Sequence, residues 1–258
     1  MNIIEHNREA WDQESREGSA WSTPVDHEVI LAARDGMWSV ILTPTKAVPA
    51  SWFGDVRGKD VLCLASGGGQ QAPVLAAAGA NVVSFDLSEE QLKRDQEVAR
   101  RENLVLRCVR GDMADLSELP AERFDLVFHP VSNLFVPDVA MVWRECFRVL
   151  KPGGSLLAGF MNPWFFLFDH VEASRTGALV VKHRLPYTEP DSLDIDRHRR
   201  WLKSGRAAEF SHSLESQIGG QIAAGFVITG LYEDYWSDEA TPLNGFAPVA
   251  IATRALRM

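Results

Sequence analysis

The chain has 258 residues, 46% hydrophobic and 24% charged, with 19 Gly and 13 Pro, a composition that excludes disordered, collagen-like and disulfide-rich classes and suits one domain with extra pieces. Its 26 Lys+Arg against 35 Asp+Glu leave a formal net charge of −9, which opposes non-specific attraction to nucleic acid or to an anionic membrane surface.

Residues 1–57 read as a mostly helical entry segment, with Ile3, Ile4 and Trp11 near its start and a further helix around Val29, Ile30 and Ala33. Four of the eight tryptophans, Trp11, Trp21, Trp38 and Trp52, fall here, which suits either a lid over a ligand or ordinary core anchors. From Lys59 short apolar runs alternate with amphipathic stretches, the pattern of βαβ units and a parallel sheet. Asp60 to Leu64 is the first strand and Gln70 to Ala78 the first helix, ended by Gly79. Asn81 to Phe85 is the second strand; Ser88, with Gln91 three residues on, opens the next helix as a capping box. Val105 to Val109 and Phe124 to Phe128 are the third and fourth strands. Val139, Val142, Trp143, Cys146, Phe147 and Leu150 recur at helical spacing over Asp138 to Leu150. Lys151-Pro152-Gly153-Gly154 stops that helix, and Ser155 to Phe160 is the fifth strand.

Residues 162–210 break the alternation. They hold the aromatic run Trp164, Phe165, Phe166 and Phe168, a predicted strand over Ala178 to Leu185 and a charged run from Asp191 to Arg206. An insertion of that length is commonly a cover over a site. Within it, Arg197-His198-Arg199-Arg200 follows Asp191, Asp194 and Asp196, so a solvated, self-paired face is expected rather than a site for an acidic ligand. Ser213 to Ala224 is a returning helix in which Gly219 and Gly220 suggest a close approach of backbone to a neighbour. Val227 to Tyr232 and Val249 to Thr253 are two closing strands. Cys63, Cys108 and Cys146 are odd in number and lie in apolar runs, as reduced thiols of a cytosolic protein would. No signal peptide or membrane span is read, so a cytoplasmic location is expected.

Three features carry chemistry. Ala65-Ser66-Gly67-Gly68-Gly69-Gln70-Gln71 turns the first strand into the first helix, where small residues let backbone approach a ligand beside free N–H groups. Gly67, Gly69 and Ala72 fit the dinucleotide pattern, although such a turn also serves tight packing. Asp86 ends the second strand, where a carboxylate accepts hydrogen bonds from both hydroxyls of a ribose. Gly111-Asp112-Met113 follows the third strand, and an Asp beside an apolar side chain suits an adenine ring.

These residues, with Phe124-Asp125-Leu126-Val127 and Val149-Leu150-Lys151-Pro152-Gly153-Gly154, fall in an order that resembles the class I S-adenosylmethionine-dependent methyltransferases, and the chain is similar to an uncharacterised bacterial branch of them. The resemblance covers residues 58–160 and, more loosely, the closing strands. It implies a Rossmann-like α/β fold with a seven-stranded sheet whose last strand is antiparallel, a helical N-terminal lid segment over 1–57, and a methyltransferase domain over 58–258 with an inserted cover before the last two strands. It implies S-adenosylmethionine as cofactor and S-adenosylhomocysteine as product. The Gly67 to Gly69 loop would meet the amino-acid end, Asp86 the ribose, Leu87 and Met113 the adenine faces and Asp112 the adenine amino group. Ala65, Ser66, Gln71, Gln91, Gly111 and His129 are further candidate cofactor contacts. Cys63 and Ala65 stand where the family often has an acidic residue and a glycine, so Ser66 or a backbone carbonyl would take over the contact to the cofactor's ammonium.

The expected activity is methyl transfer to an O, N or S atom of a small molecule, with no nucleic-acid or membrane partner and an open oligomeric state. Displacement at a sulfonium needs chiefly alignment and exclusion of water, and a base only where the acceptor must lose a proton. His129, after the fourth strand, is the candidate base and Asn133 a candidate orienting residue. His212 with Glu215, and Tyr232 and Tyr235, are weaker candidates. Two other readings stay open: a non-catalytic module that binds the cofactor, and a nicotinamide-dependent oxidoreductase, which leaves Gly111-Asp112-Met113 unexplained.

Overall fold

The computed structural model describes residues 2–189, 191–237 and 239–258. Among these, seven strands form one sheet: β1 (Asp60–Leu64), β2 (Asn81–Asp86), β3 (Leu106–Arg110), β4 (Phe124–His129), β5 (Leu150–Met161), β6 (Phe226–Asp234) and β7 (Ala250–Arg257), in the order β3-β2-β1-β4-β5-β7-β6. The first five pair in parallel, and β7 runs antiparallel between β5 and β6. The strand order reverses between β1 and β4, which opens a crevice beyond their carboxyl ends, the usual ligand position in such sheets.

The continuous apolar runs follow from burial of both faces of the sheet. Val61 and Cys63 of β1 face one core, with Ile30 of α2 (His27–Arg34), Ala72 and Leu75 of α3 (Gln71–Ala77) and Val98 of α4 (Glu89–Glu102). Leu62 and Leu64 face the other, with Val142, Trp143 and Cys146 of α5 (Val139–Val149). The side-chain period of two in a strand divides one hydrophobic sequence between two layers. Ser88 caps α4 as expected, its Oγ accepting from the Gln91 N–H at 3.2 Å.

The N-terminal helix α1 (Ile3–Glu17) is anchored by polar groups. Asp12 is buried, accepts from Arg8 and from Ser88 Oγ, both at 2.7 Å, and so ties α1 to the first turn of α4. Asn7 uses its whole amide: Nδ2 donates to the Phe135 and Ala208 carbonyls at 2.9 and 3.2 Å, and Oδ1 accepts from the Ala208 N–H at 2.7 Å. Asn7→Ala leaves a buried N–H and carbonyl unpaired, so we expect a loss of about 1–3 kcal/mol. Hydrogen exchange should localise the loosening to α1 and residues 206–210; unchanged protection there would show that other contacts hold the helix.

The insertion contains α6 (His170–Thr176) and α7 (Ile195–Ser204), and the charged run pairs with itself and with α6, Arg197 reaching Asp169 at 3.0 Å and Asp194 at 3.6 Å. Trp201 of α7 is buried with Ala208, Phe210 and Ile3, which joins the insertion to α1. The predicted strand over Ala178 to Leu185 does not form; only a single bridge links Val181 to Phe168. Val180 and Val181 are exposed, so no buried face holds that segment in register. The returning helix is shorter than expected, a π-helical turn over Glu215–Gly219 followed by α8 (Gly220–Ala223). Gly220 makes the expected close approach, since a Cβ there would lie 2.8 Å from Trp143 Cδ1, whereas Gly219 has ordinary space around it.

Candidate active site

A cavity of about 830 Å³ lies over the carboxyl ends of β1, β2, β3 and β4, within the size range of small-molecule sites. Ala65, Ser66, Gly67 and Gln71 line it from the turn after β1, Asp86, Leu87 and Gln91 from the end of β2 and the start of α4, and Gly111, Asp112 and Met113 from the segment after β3. Ten sequence-selected positions from three separate turns thus share one wall.

The other candidates lie elsewhere. Gly69 does not line the cavity: its N–H donates to Asp95 at 2.7 Å, and a Cβ there would lie 2.9 Å from Pro24 Cα. Gly67 lines it at φ +75°, where a Cβ would meet the Trp21 carbonyl oxygen at 2.7 Å. The glycine run therefore admits the 20–25 segment closely on one side while facing the cavity on the other.

His129 is fully buried and not among the cavity-lining residues, which corrects the expectation of a base. Its Nδ1–H donates to the Leu64 carbonyl at 2.9 Å, joining the ends of β4 and β1. Burial pushes its imidazole down to about 4, against the pull of that carbonyl, so near neutral pH the ring is uncharged, with Nδ1 held by backbone and Nε2 buried without a partner among the described residues. Asn133 is likewise buried and off the cavity, its amide exchanging two 3.1 Å bonds with Gln217. His212 lines a different place, bonding the Asn133 carbonyl at 3.1 Å, while Glu215 is exposed. Tyr232 and Tyr235 do not line the cavity either.

The wall is electrostatically prepared for donors. Asp86 Oδ1 accepts from the Ser88 N–H at 2.9 Å. Desolvation nevertheless pushes its carboxyl up to about 7, while the Ser88 and Leu87 N–H groups pull down and Asp12 pushes up. Behind it Asp95, buried and bonded by Ser84 Oγ at 2.6 Å, is also pushed up to about 7 by burial. Asp112 Oδ1 accepts from the Ala114 N–H at 3.0 Å in a local turn. Ser66 Oγ and Gln91 Oε1 are buried with no partner among the described residues, and buried polar atoms left so are costly unless a ligand supplies the bond. Ala65 sits at φ +46°, in the left-handed region that costs an L-residue about 1–2 kcal/mol. Ala65→Gly removes that strain but adds freedom to the unfolded chain, so a net gain of about 0.5–1 kcal/mol is expected in chemical denaturation; a loss would show that the methyl group packs usefully.

The opposite wall comes from the N-terminal segment in which the sequence singled out Ile3, Ile4 and Trp11, but not Asn7 or Glu14. Ile3, Ile4, Asn7, Trp11 and Glu14 of α1 line the cavity at successive helical steps, a stripe whose period of three to four was legible. Arg206 and Glu209 after α7, His170 of α6, and Trp236 also line it, and of the aromatic run only Phe165 does so. Those segments lack any periodic signal. Phe166 instead stacks on Tyr187 at 5.7 Å in a core that it shares with Phe165.

A mixed seven-stranded sheet whose five parallel strands end in a crevice lined by acidic residues defines the class: a Rossmann-like α/β protein of the kind that holds an adenosine-containing cofactor. Residues 62–158 match the family described as "Methyltransferase domain". The chain is 49% identical over 232 residues to a Bacillus subtilis protein named "Uncharacterized methyltransferase YbaJ", covering 90% of this chain and 91% of that one. It is 35% identical over 196 residues to a "Ubiquinone biosynthesis O-methyltransferase" of Psychrobacter cryohalolentis, covering 73% and 70% of the two. An S-adenosylmethionine dependent methyltransferase from Mesorhizobium loti shares the fold with a TM-score of 0.58 at 22% identity, over 80% of this chain and 94% of that one. The chain belongs to the class I S-adenosylmethionine-dependent methyltransferases. Among the described residues no helix is long and apolar enough to cross a membrane.

Proposed function

We propose that this protein transfers a methyl group from S-adenosylmethionine to an N, O or S atom of a small-molecule acceptor held under α1. The observation that carries this reading is a single cavity with two unlike halves: an acidic wall from the strand ends, and an apolar, aromatic wall from α1, Phe165 and Trp236. In this reading Asp86 accepts from the ribose hydroxyls, Asp112 from the adenine amino group, and Leu87 and Met113 cover the adenine faces. Ser66 Oγ and Gln91 Oε1 supply hydrogen-bonding atoms that the protein itself leaves unused. The backbone at Ala65 and Gly67 and the side chain of Gln71 border the amino-acid end.

When bound, S-adenosylmethionine supplies a methyl group already activated on a sulfonium. The chain's own contribution is alignment and exclusion of water by the apolar wall. Segment 1–57 acts as the lid and residues 162–210 as its support, through Asn7 and Trp201. The protein also binds S-adenosylhomocysteine. The test is calorimetric titration with S-adenosylmethionine, S-adenosylhomocysteine, NAD and NADP, followed by detection of S-adenosylhomocysteine formed with small acceptors. Binding of the first two with turnover supports the proposal; binding without turnover across O, N and S acceptors leaves a cofactor-binding module, and binding of the dinucleotides alone overturns it.

A further inference from the structure

Resting on the methyltransferase reading, and deepening it at the acceptor end, we propose that Glu209 is the acceptor-binding carboxylate and that the acceptor carries a basic nitrogen on an apolar or aromatic body. Glu209 lines the cavity from the strap that follows α7. Its position is set on both sides by backbone: Ala208 is clamped by Asn7 of α1, and the Phe210 N–H donates to the Leu134 carbonyl at 2.7 Å, beside the loop that leaves β4. Yet its own carboxylate has no hydrogen bond or ion pair among the described residues. The neighbouring Glu189 is differently placed. It is buried, accepts from Tyr187 Oη at 2.8 Å and lies 3.9 Å from Arg206. The protein has thus satisfied one of two adjacent carboxylates and left free the one that borders the cavity.

Its surroundings select the ligand. His170, on the same cavity, donates its Nε2–H to the Phe165 carbonyl at 2.8 Å, and in that tautomer Nδ1 bears a lone pair, which has no protein partner. The free polar groups contributed by Glu209 and His170 are therefore acceptors, and the matching ligand is a donor of hydrogen bonds. Arg206, the cation on this wall, is exposed at its rim. Trp11 meets Phe135 edge-on at 5.0 Å and Phe165 stacks on Trp236 at 6.1 Å, all four bordering the cavity. Phe165 is itself covered by the His170 ring, stacked at 3.6 Å, so Trp11, Phe135 and Trp236 supply the aromatic surface that attracts a cation in a partly desolvated site, and a carboxylate fixes its direction. Burial and the Glu189 charge push Glu209 up to about 7, with Arg206 pulling down, the behaviour of an acid that lacks its counter-charge. An alcohol of the same shape can donate one hydrogen bond to the carboxylate but brings it no counter-charge and offers the rings no cation.

The test uses the intact protein saturated with S-adenosylhomocysteine and measures equilibrium binding of matched probes, benzylammonium against benzyl alcohol and hexylammonium against hexanol. The expected result is tighter binding of the ammonium member of each pair by about tenfold, as for a charge-assisted hydrogen bond, with the preference abolished in Glu209→Gln and retained in Glu118→Gln, an exposed carboxylate away from the cavity. Equal binding of amine and alcohol, binding of neither, or a preference that survives Glu209→Gln overturns the assignment. Saturation with S-adenosylhomocysteine is measured in the same titrations for every variant. Its failure in the native protein would count against the methyltransferase reading, whereas normal saturation without amine preference would remove Glu209 alone.

Discussion

Replacing Asp86 with Ala should weaken S-adenosylhomocysteine binding by about 10- to 150-fold, the range for hydrogen bonds to a charged group worth about 1.5–3 kcal/mol, while the fold stays intact. The fold survives because this carboxyl costs the ligand-free protein stability. Its value is pushed from 3.8 to about 7 by desolvation, so between those limits the folded chain holds a proton that the unfolded chain has released. Stability falls as pH rises through that window and levels off above about 7. Asp95 and Glu209, both pushed up to about 7 by burial, add to the same slope. In the proposed pose ribose hydroxyls donating to Asp86 favour its charged form, so binding releases a proton and strengthens from pH 6 to pH 8, by up to about tenfold over that window for a carboxyl that starts at about 7. Titration in two buffers of different ionisation enthalpy counts that proton directly. Native affinity in a folded Asp86→Ala variant, or a proton count of zero that Asp86→Asn leaves unchanged, would remove this residue from the ribose.

Trp143→Ala should have the largest effect on stability, a loss of about 3–5 kcal/mol, as for a large buried aromatic cut to a methyl group. Trp143 is fully buried at the centre of the core between the sheet and α5, donates its indole N–H to the Ser216 carbonyl at 3.1 Å and meets the ring of His129 edge-on at 6.0 Å. Gly220 fits closely against it, so a cavity at 143 opens both the sheet interface and the turn before α8. At about 2–4 °C per kcal/mol for a chain of this size, the thermal midpoint should fall by about 6–20 °C. Saturating S-adenosylhomocysteine restores about 2.7 kcal/mol at 100 times its dissociation constant, because the binding wall is built from the strand ends and not from Trp143. A loss below about 1.5 kcal/mol would mean that α8 collapses into the space and that the core is less rigid than its packing implies. The two variants separate the layers of the molecule: one loses ligand and keeps fold, the other loses fold and keeps the ligand's contacts.

The parts that were legible in the sequence are those made by neighbours along the chain. Asp60 to Leu64 announced a doubly buried strand, Ser88 with Gln91 announced a cap, and Ala65 to Gln71, Asp86 and Gly111 to Met113 each sit directly after a strand, so a parallel sheet delivers them to one edge whatever the rest of the chain does. The failures have the opposite character. His129 has the residue type and position of a base, but its protonation and direction depend on the Leu64 carbonyl two strands' worth of sequence away, and on burial that no local pattern encodes. Asn133 was read toward the cavity, and it turns instead to Gln217, 84 residues later. The strand expected over Ala178 to Leu185 had the right composition and no partner edge.

By itself, then, the amino-acid sequence determined the alternation of strands and helices, the family, and the acidic wall that suits an adenosine cofactor, because periodicity and turn chemistry act over a few residues and strand ends carry their own ligands. Only the tertiary structure decided what faces that wall. Trp11, Glu209, His170 and Trp236 come from four segments far apart in the chain and border one cavity because Asn7, Asp12 and Trp201 fasten α1 and the insertion to the sheet. Those fastenings are long-range hydrogen bonds and buried contacts, and their partners are chosen by three-dimensional packing rather than by spacing along the chain.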